Sequence, residues 1–254
     1  MNKPASAVPA RFKHAGAGHE IEIKLAAPDV AAVARRLVDL GAARGPRVHE
    51  VNAVFDTPDS RMRSRGQLLR LRVERRVPGR SGHTGLNARE KAAVGTPRAR
   101  LARVAEMLFP PRGGGRALVT LKAPVAHAPE GRRRQGPQKR RRAAAYKIRR
   151  EIEFAIPDAG ALRAVLAYLG YHPVFFYEKF RTTYRLPGRK DVVVALDETP
   201  IGTYLELEGR PREIDRARKL LGYEAREAIL ASYGALYAAQ QRARHLPFRH
   251  MLFE

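Results

Sequence analysis

The sequence predicts an α+β fold built around a mostly antiparallel sheet, and three observations predict it. Short segments alternate charged and apolar residues with the period of two that a strand imposes, as in Glu20-Ile21-Glu22-Ile23-Lys24. Stretches with helical spacing are few beside the strands. The second half also repeats the first. "HEIEIKLAAPDVAAVARRLVDLGA" is answered by "REIEFAIPDAGALRAVLAYLGY", with Glu20/Glu22 matched by Glu151/Glu153, Pro28-Asp29 by Pro157-Asp158 and Leu40-Gly41 by Leu169-Gly170. A repeat of a charged strand, a helix and further strands predicts a sheet with internal pseudo-symmetry.

The elements follow in order. Residues 1–18 are small, polar and Pro/Gly-containing and read as a loose N-terminal tail. A strand covers 20–25. Pro28-Asp29 opens a helix whose Val30, Val33, Leu37 and Leu40 share one face, with Gly41 as its stop. "HEVNAVFDTPD" reads as a strand entering a turn, and "GQLLRLRVERR" as a strand with Leu69, Leu71 and Val73 opposite Arg70, Arg72 and Glu74. Residues 77–117 form a Gly/Pro/Arg-rich insert with a short basic helix within 97–109; Gly113-Gly114-Gly115 reads as linker. "LVTLKAP" is a strand, and 125–146 is a second, low-complexity basic insert. "FFYEKFRTTYRL", "DVVVALDE" and "TYLELEG" add strands, and "REIDRARKLLGY" and "REAILASYGALYAAQ" read as closing helices. The expected organisation is one domain over 19–237 and a C-terminal tail over 238–254.

The chain of 254 residues is long enough to bury a core, and its formal net charge of +24 favours anionic partners such as nucleotides, polyphosphate or nucleic acid. It has no cysteine, which excludes disulfides and thiolate metal sites. No apolar run approaches the roughly 18 residues of a membrane helix, and the first residues carry no apolar signal core, so a cytoplasmic protein is expected. No Walker-type phosphate loop and no Ser/His/Asp set stands out; His49 and His172 read as loop or surface residues.

The strand charges pose the central question. A sheet with one wet face would give the same alternation. Yet the apolar helix stripes need a partner, and the apolar strand faces supply it. The charged faces also mix Glu with Arg and Lys and hold little Ser, Thr or Gln. A sheet curled with its apolar face outward under helices would have a charged lumen. Such charges must be paired, hydrated or bound to ions. Carboxylates suit hard divalent cations and Arg/Lys suit phosphate oxygens, so the natural ligand is a metal-bound phosphate chain.

EIEIK, "LRLR" at 69–72, "VTLKAP", "RREIEF", "EKFR" at 178–181, "ALDE" at 195–198 and "GTYLELEG" occur in that order. In this the chain resembles the CYTH domains, or triphosphate tunnel metalloenzymes, over roughly 19–237. The resemblance implies an eight-stranded antiparallel closed β-tunnel with helices packed outside. It implies Mg²⁺ or Mn²⁺ as cofactor, held by Glu20, Glu22, Glu206 and Glu208 with Glu153 and Asp197 as further candidates. Phosphate contacts would come from Lys24, Arg70, Arg72, Lys122, Arg149, Lys179 and Arg181. Lys24, Glu153 and Asp197 are the residues it implies for direct catalytic roles, while Glu151 is expected to pair with a neighbouring Arg. Homodimers are common in the family.

The activity so implied is attack on a triphosphate. Water as attacking group gives an inorganic, thiamine or other organic triphosphatase. The ribose 3′-hydroxyl of ATP gives cyclic AMP and pyrophosphate. "LDETPIGTYLELEGRPREIDRARKLLG" resembles sequences grouped with class IV adenylate cyclases and favours the second. A reading of another class is a non-catalytic polyphosphate or nucleic-acid binding module. In it the basic inserts, with Arg132-Arg133-Arg134 and Lys139-Arg140-Arg141-Arg142, would dock a polyanion without sequence specificity. The same inserts could equally be solvated loops.

Overall fold

The computed structural model describes residues 18–77, 96–109, 116–125 and 145–253. Eight strands close a barrel: β1 (Gly18–Ala26), β2 (Ala43–Asp56), β3 (Leu68–Arg76), β4 (Arg116–Pro124), β5 (Lys147–Ile156), β6 (His172–Arg185), β7 (Val192–Thr199) and β8 (Gly202–Gly209). The order around the ring is β1-β5-β4-β3-β2-β6-β7-β8, with β8 returning to β1, and every pairing is antiparallel. Exchanging β1–β4 for β5–β8 maps this order onto itself, so the sequence repeat is a pseudo-two-fold of the barrel. This is the closed antiparallel tunnel with outer helices that the sequence predicts.

The repeated Pro-Asp pairs have the same job in both halves. Asp29 accepts from Ala32 N at 2.8 Å to cap α1 (Val30–Asp39). Asp158 accepts from Ala161 N at 2.9 Å to cap the matching helix Ala159–Tyr168. A side-chain oxygen here satisfies a backbone N–H that the first turn leaves without a partner. Gly41 and Gly170 follow these helices with φ of +67° and +81°, a left-handed step that favours glycine.

The apolar strand faces point outward, and the helices cover them. Ile23, Leu25, Val194, Leu205 and Leu207 pack with Leu37 of α1 and with Ile214 and Ala217 of the helix Pro211–Leu220. On the other side Val51, Phe55, Leu71, Val73 and Val119 pack with Leu166 of the second repeat's helix and with Val104 and Leu108. The last two belong to the helix Pro97–Leu108, which falls in the expected 97–109 stretch of the first insert. In chain order the helices are α1, α2 (Arg61–Ser64), α3 (Pro97–Leu108), α4 (Ala159–Tyr168), α5 (Pro211–Leu220) and α6 (Tyr233–Ala243). The runs Arg132–Arg134 and Lys139–Arg142 and the triglycine at 113–115 lie outside the described residues.

Three stretches differ from the sequence expectation. β2 starts at Ala43, before the predicted "HEVNAVFD", because β6 pairs with it along its length and carries Gly45-Pro46 past a register shift between Arg44 and Arg47. The helix expected over "REAILASYGALYAAQ" is a single 3-10 turn at Ala225–Glu227, then a bridge, then α6. The bridge forms because Lys24 and Ile229 exchange backbone hydrogen bonds of 3.0 and 2.8 Å, which extend the sheet on the edge of β1 where its pairing with β5 has ended at Glu22. Beyond residue 238, α6 continues to Ala243 and the chain then returns to the barrel, where Met251 bridges Tyr177 and is 1% exposed. Phe175, Tyr177, Tyr233, Tyr237 and Met251 make a separate aromatic cluster over that end of the barrel.

Candidate active site

The inward positions of the strands line one cavity of about 1050 Å³. Of the residues singled out from the sequence, Glu20, Glu22, Lys24, Arg70, Arg72, Lys122, Glu153, Lys179, Arg181, Glu206 and Glu208 all line it, as does Glu151. Two do not. Arg149 shares their strand face but sits at the barrel end and donates to the carbonyl of Gly66. Asp197 shares the inward face with its register partner Arg181 but is 0% exposed, covered by its partners: its carboxylate accepts from Lys179 Nζ at 2.7 Å, from Arg181 Nε and a terminal guanidinium nitrogen at 2.6 Å each, and from the Tyr233 hydroxyl at 2.8 Å.

Acids and bases alternate within this wall and pair with each other. Lys24, 2% exposed, reaches Glu22 Oε1 at 2.9 Å and Glu206 Oε1 at 3.1 Å. Burial alone would pull its pKa down, but Glu206 and Glu22 reverse this and hold it well above the ordinary lysine value. Lys24 is therefore a fixed ammonium, suited to phosphate oxygens and unsuited to take a proton. Lys122 binds both oxygens of Glu20, at 2.5 and 2.6 Å, and lies 3.4 Å from Glu151. Glu151 thus pairs with a lysine, where the sequence reading expected an arginine. Arg72 meets Glu153 at 3.0 Å, and Arg70 is held by Tyr177 Oη at 3.1 Å and Thr120 Oγ1 at 3.0 Å. Arg181 also pairs with Glu206.

The carboxylates divide by how well this pairing serves them. Burial raises Glu22 and Glu206 repels it, yet Lys24 and Lys147 bring its pKa below the ordinary value. Glu206 is likewise lowered, against burial, by Lys24, Arg181 and Lys179. Burial raises Glu151 to about 7 in spite of Lys122, with Glu20 and Glu153 adding repulsion. Burial and the Glu20 charge also raise Glu208. Burial is the larger cause for both, with repulsion from Glu20 added, and a nearby hard cation would favour their charged forms. Among the described residues no three His, Asp or Glu side chains converge into a ready-made metal cluster. Mg²⁺ does not require one, because it is commonly held by one or two carboxylates together with substrate phosphates and water. The donor set fits Mg²⁺ or Mn²⁺ in that manner.

The structure adds residues that sequence reasoning missed. Lys147 lines the cavity and donates to Glu22 at 2.6 Å; it shares the parity of Glu151 and Glu153, but the predicted strand began too late to include it. Glu50, 1% exposed, faces Arg72 and Lys179 at 3.5 Å each and Arg181 at 3.7 Å. These cations drive its pKa far below the ordinary range against its burial. A single charge in the apolar run "HEVNAVF" gave it no alternating partner to reveal its face. His49 is on the outer face of β2, stacked on Phe180 at 4.5 Å and bonded to Glu178 at 2.8 Å, so it is a structural partner where a loop or surface residue was expected. Glu178, 0% exposed, also takes Arg103 of α3 at 2.7 Å and the backbone N–H of Phe253 at 2.9 Å. His172 is an exposed residue at the start of β6.

Comparison with known proteins agrees with this architecture. The CYTH domain family model matches residues 18–230. A candidate adenylate cyclase from Vibrio parahaemolyticus superposes with a TM-score of 0.56 at 13% identity, covering 86% of this chain and 97% of its own. A Pyrococcus horikoshii protein gives 0.57 at 19% identity, covering 87% of this chain and 99% of its own. A conserved Pyrococcus furiosus protein gives 0.51 at 17%, covering 84% and 97%. Comparison with curated proteins returns no match. No helix among the described residues is long and apolar enough to cross a membrane.

Proposed function

Because the chain belongs to the CYTH domain family, we propose that it is a divalent-metal-dependent enzyme that acts on a triphosphate inside the barrel, by an adenylate cyclase-like reaction. The observation that carries this reading is the mixed lining of one cavity: phosphate-binding cations and metal-suited carboxylates interleave at hydrogen-bonding distance. A pure anion site would gain nothing from the carboxylates, which weighs against a binding module.

Lys24, Arg70, Arg72, Lys122, Lys179 and Arg181 would hold the phosphate chain, and Lys147 joins them by position. Glu20, Glu22, Glu151, Glu206 and Glu208 supply the oxygens for Mg²⁺ or Mn²⁺, with Glu153 beside Arg72. When bound, that ion would act as a Lewis acid that offsets the charge developing on the phosphoryl oxygens. Arg70 and Arg72 are pinned before substrate arrives, so little ordering is needed to present their guanidinium groups. The ribose 3′-hydroxyl then attacks the α-phosphorus, the bond to the β-phosphate oxygen breaks, and pyrophosphate leaves. The hydroxyl proton passes to a lumen carboxylate.

An apolar wall beside the cations supports an organic substrate. Arg72, Leu118 and Ala155 are register partners on β3, β4 and β5, and Leu118 and Ala155 face the cavity, as does Val193 on β7. Such a wall suits a base more than bare phosphate.

The deciding experiment supplies purified protein with Mg²⁺ or Mn²⁺ and ATP, tripolyphosphate or thiamine triphosphate, and follows cyclic AMP, pyrophosphate and phosphate. Cyclic AMP with equal pyrophosphate is expected from ATP. Phosphate release without cyclic AMP makes the protein a triphosphatase. No turnover of any of the three, with salt-dependent RNA binding that survives Glu22→Gln, makes it a binding module.

A further inference from the structure

We propose that Tyr233 is a positioning residue of the triphosphate site: acting through Asp197, it fixes Lys179 and Arg181 in the orientation that receives phosphate. The assignment rests on the triphosphate reading of the cavity. Tyr233 lies just beyond the family-matched residues 18–230.

α6 brings its first turn into the site. Ser232, whose side chain caps the helix, and the next two residues, Tyr233 and Gly234, line the same cavity as the strand charges. The Tyr233 ring packs edge-on to Tyr204 at 5.5 Å between centroids. Its face is presented to two ammonium groups at once, Lys24 Nζ at 5.1 Å and Lys179 Nζ at 5.2 Å from the centroid. A ring facing two ammonium groups attracts both without neutralising either.

The hydroxyl does the more specific work. It donates to Asp197 Oδ2 at 2.8 Å, and that oxygen also accepts from Lys179 and Arg181 while Oδ1 accepts from Arg181 Nε. Both oxygens are thus engaged, Oδ2 by three donors and Oδ1 by one, and the carboxylate plane is set. Lys179 and Arg181 line the cavity, whereas Asp197 does not. Asp197 therefore reaches the substrate through its two cations, and the Tyr233 hydroxyl acts through Asp197.

The test is a double-mutant cycle on tripolyphosphate binding, measured by calorimetry in EDTA so that metal and turnover play no part. Tyr233→Phe keeps the ring and removes only the hydroxyl. In the wild-type background it should change affinity about tenfold, the scale of a hydrogen bond to a charged group. In the Asp197→Asn background it should change affinity not at all, since the group it acts through is gone. Equal affinity of wild type and Tyr233→Phe, or the same loss in both backgrounds, overturns the assignment alone. Failure of the wild type to bind tripolyphosphate both in EDTA and after Mg²⁺ is restored overturns the triphosphate reading and this assignment with it. Should Asp197→Asn not fold, the ¹⁵N resonance of Arg181 Nε decides: it shifts in Tyr233→Phe if the hydroxyl acts through Asp197, and an unchanged resonance overturns the proposal.

Discussion

Lys122 on β4 reaches across β5 to grip both carboxylate oxygens of Glu20 on β1, at 2.5 and 2.6 Å. A group suited to phosphate is thus spent on a group suited to metal. Lys24 and Lys147 are spent on Glu22 in the same way. Metal and phosphate must therefore each release the partner that the other needs. Their binding should be cooperative and reciprocal: Mg²⁺ should tighten tripolyphosphate binding about tenfold or more, and tripolyphosphate should tighten Mg²⁺ by the same factor. Calorimetric titrations in both orders check this, and independent affinities would refute it.

Glu22→Gln and Glu206→Gln each remove one carboxylate from Lys24 while keeping its shape. Turnover should fall about a hundredfold or more, on the scale of lost metal affinity. Lys24 keeps one carboxylate partner in either variant, so the fold should survive. Steady-state rates over a range of Mg²⁺, with circular dichroism alongside, separate these effects.

Glu50 is the counter-charge beneath Arg72, Lys179 and Arg181. Glu50→Leu would leave these buried cations short of an anion, at a cost of about 3–5 kcal/mol. Urea unfolding should show the loss, and Glu50→Gln should lose less because it keeps the side chain's volume and polarity.

Leu118 gives a test of substrate class. Leu118→Ala should raise KM for ATP about tenfold and leave the KM for tripolyphosphate unchanged, because only ATP carries a group to pack there. Equal effects on both would place the base elsewhere.

Glu178 sets a pH dependence of stability. Burial raises its pKa, but the hydrogen bond and charge of His49, with Arg103, bring it below the ordinary 4.5. A lowered folded-state value means that the carboxylate stabilises the protein above the unfolded-state pKa, and that this contribution is lost as pH falls through the folded-state value. The stability advantage of wild type over Glu178→Gln should therefore be present above the unfolded-state value and shrink as acid carries the pH below it and through the lower folded-state value. Thermal melts of both proteins across that range check the sign.

The legible part of the molecule was what period two can encode. Glu20, Glu22 and Lys24 lie on one strand face, so alternation alone placed them together, and their echo at Glu151 and Glu153 exposed the repeat. Asp197 was legible as an inward acid, but its partners were not, because the Tyr233 hydroxyl comes from a helix 36 positions away. Glu50 stood alone in an apolar strand, and no periodic neighbour marked its face. Glu178 shares its strand with Lys179 yet points outward under α3 and Phe253, contacts that depend on tertiary packing rather than on local pattern.

The ring order also governs how the chain comes to be folded. β1 pairs with β5 and β8 and with none of β2, β3 and β4. During synthesis from the N-terminus, β2, β3 and β4 can form a meander at once, while the strand made first waits for the strand made last. The half-built sheet meanwhile exposes its apolar outer face and two open edges. Closing a ring through contacts so distant in sequence is slow. The charged wall, shared between β1 and β8 through Lys24 and Glu206, is thus among the last parts of the protein to exist.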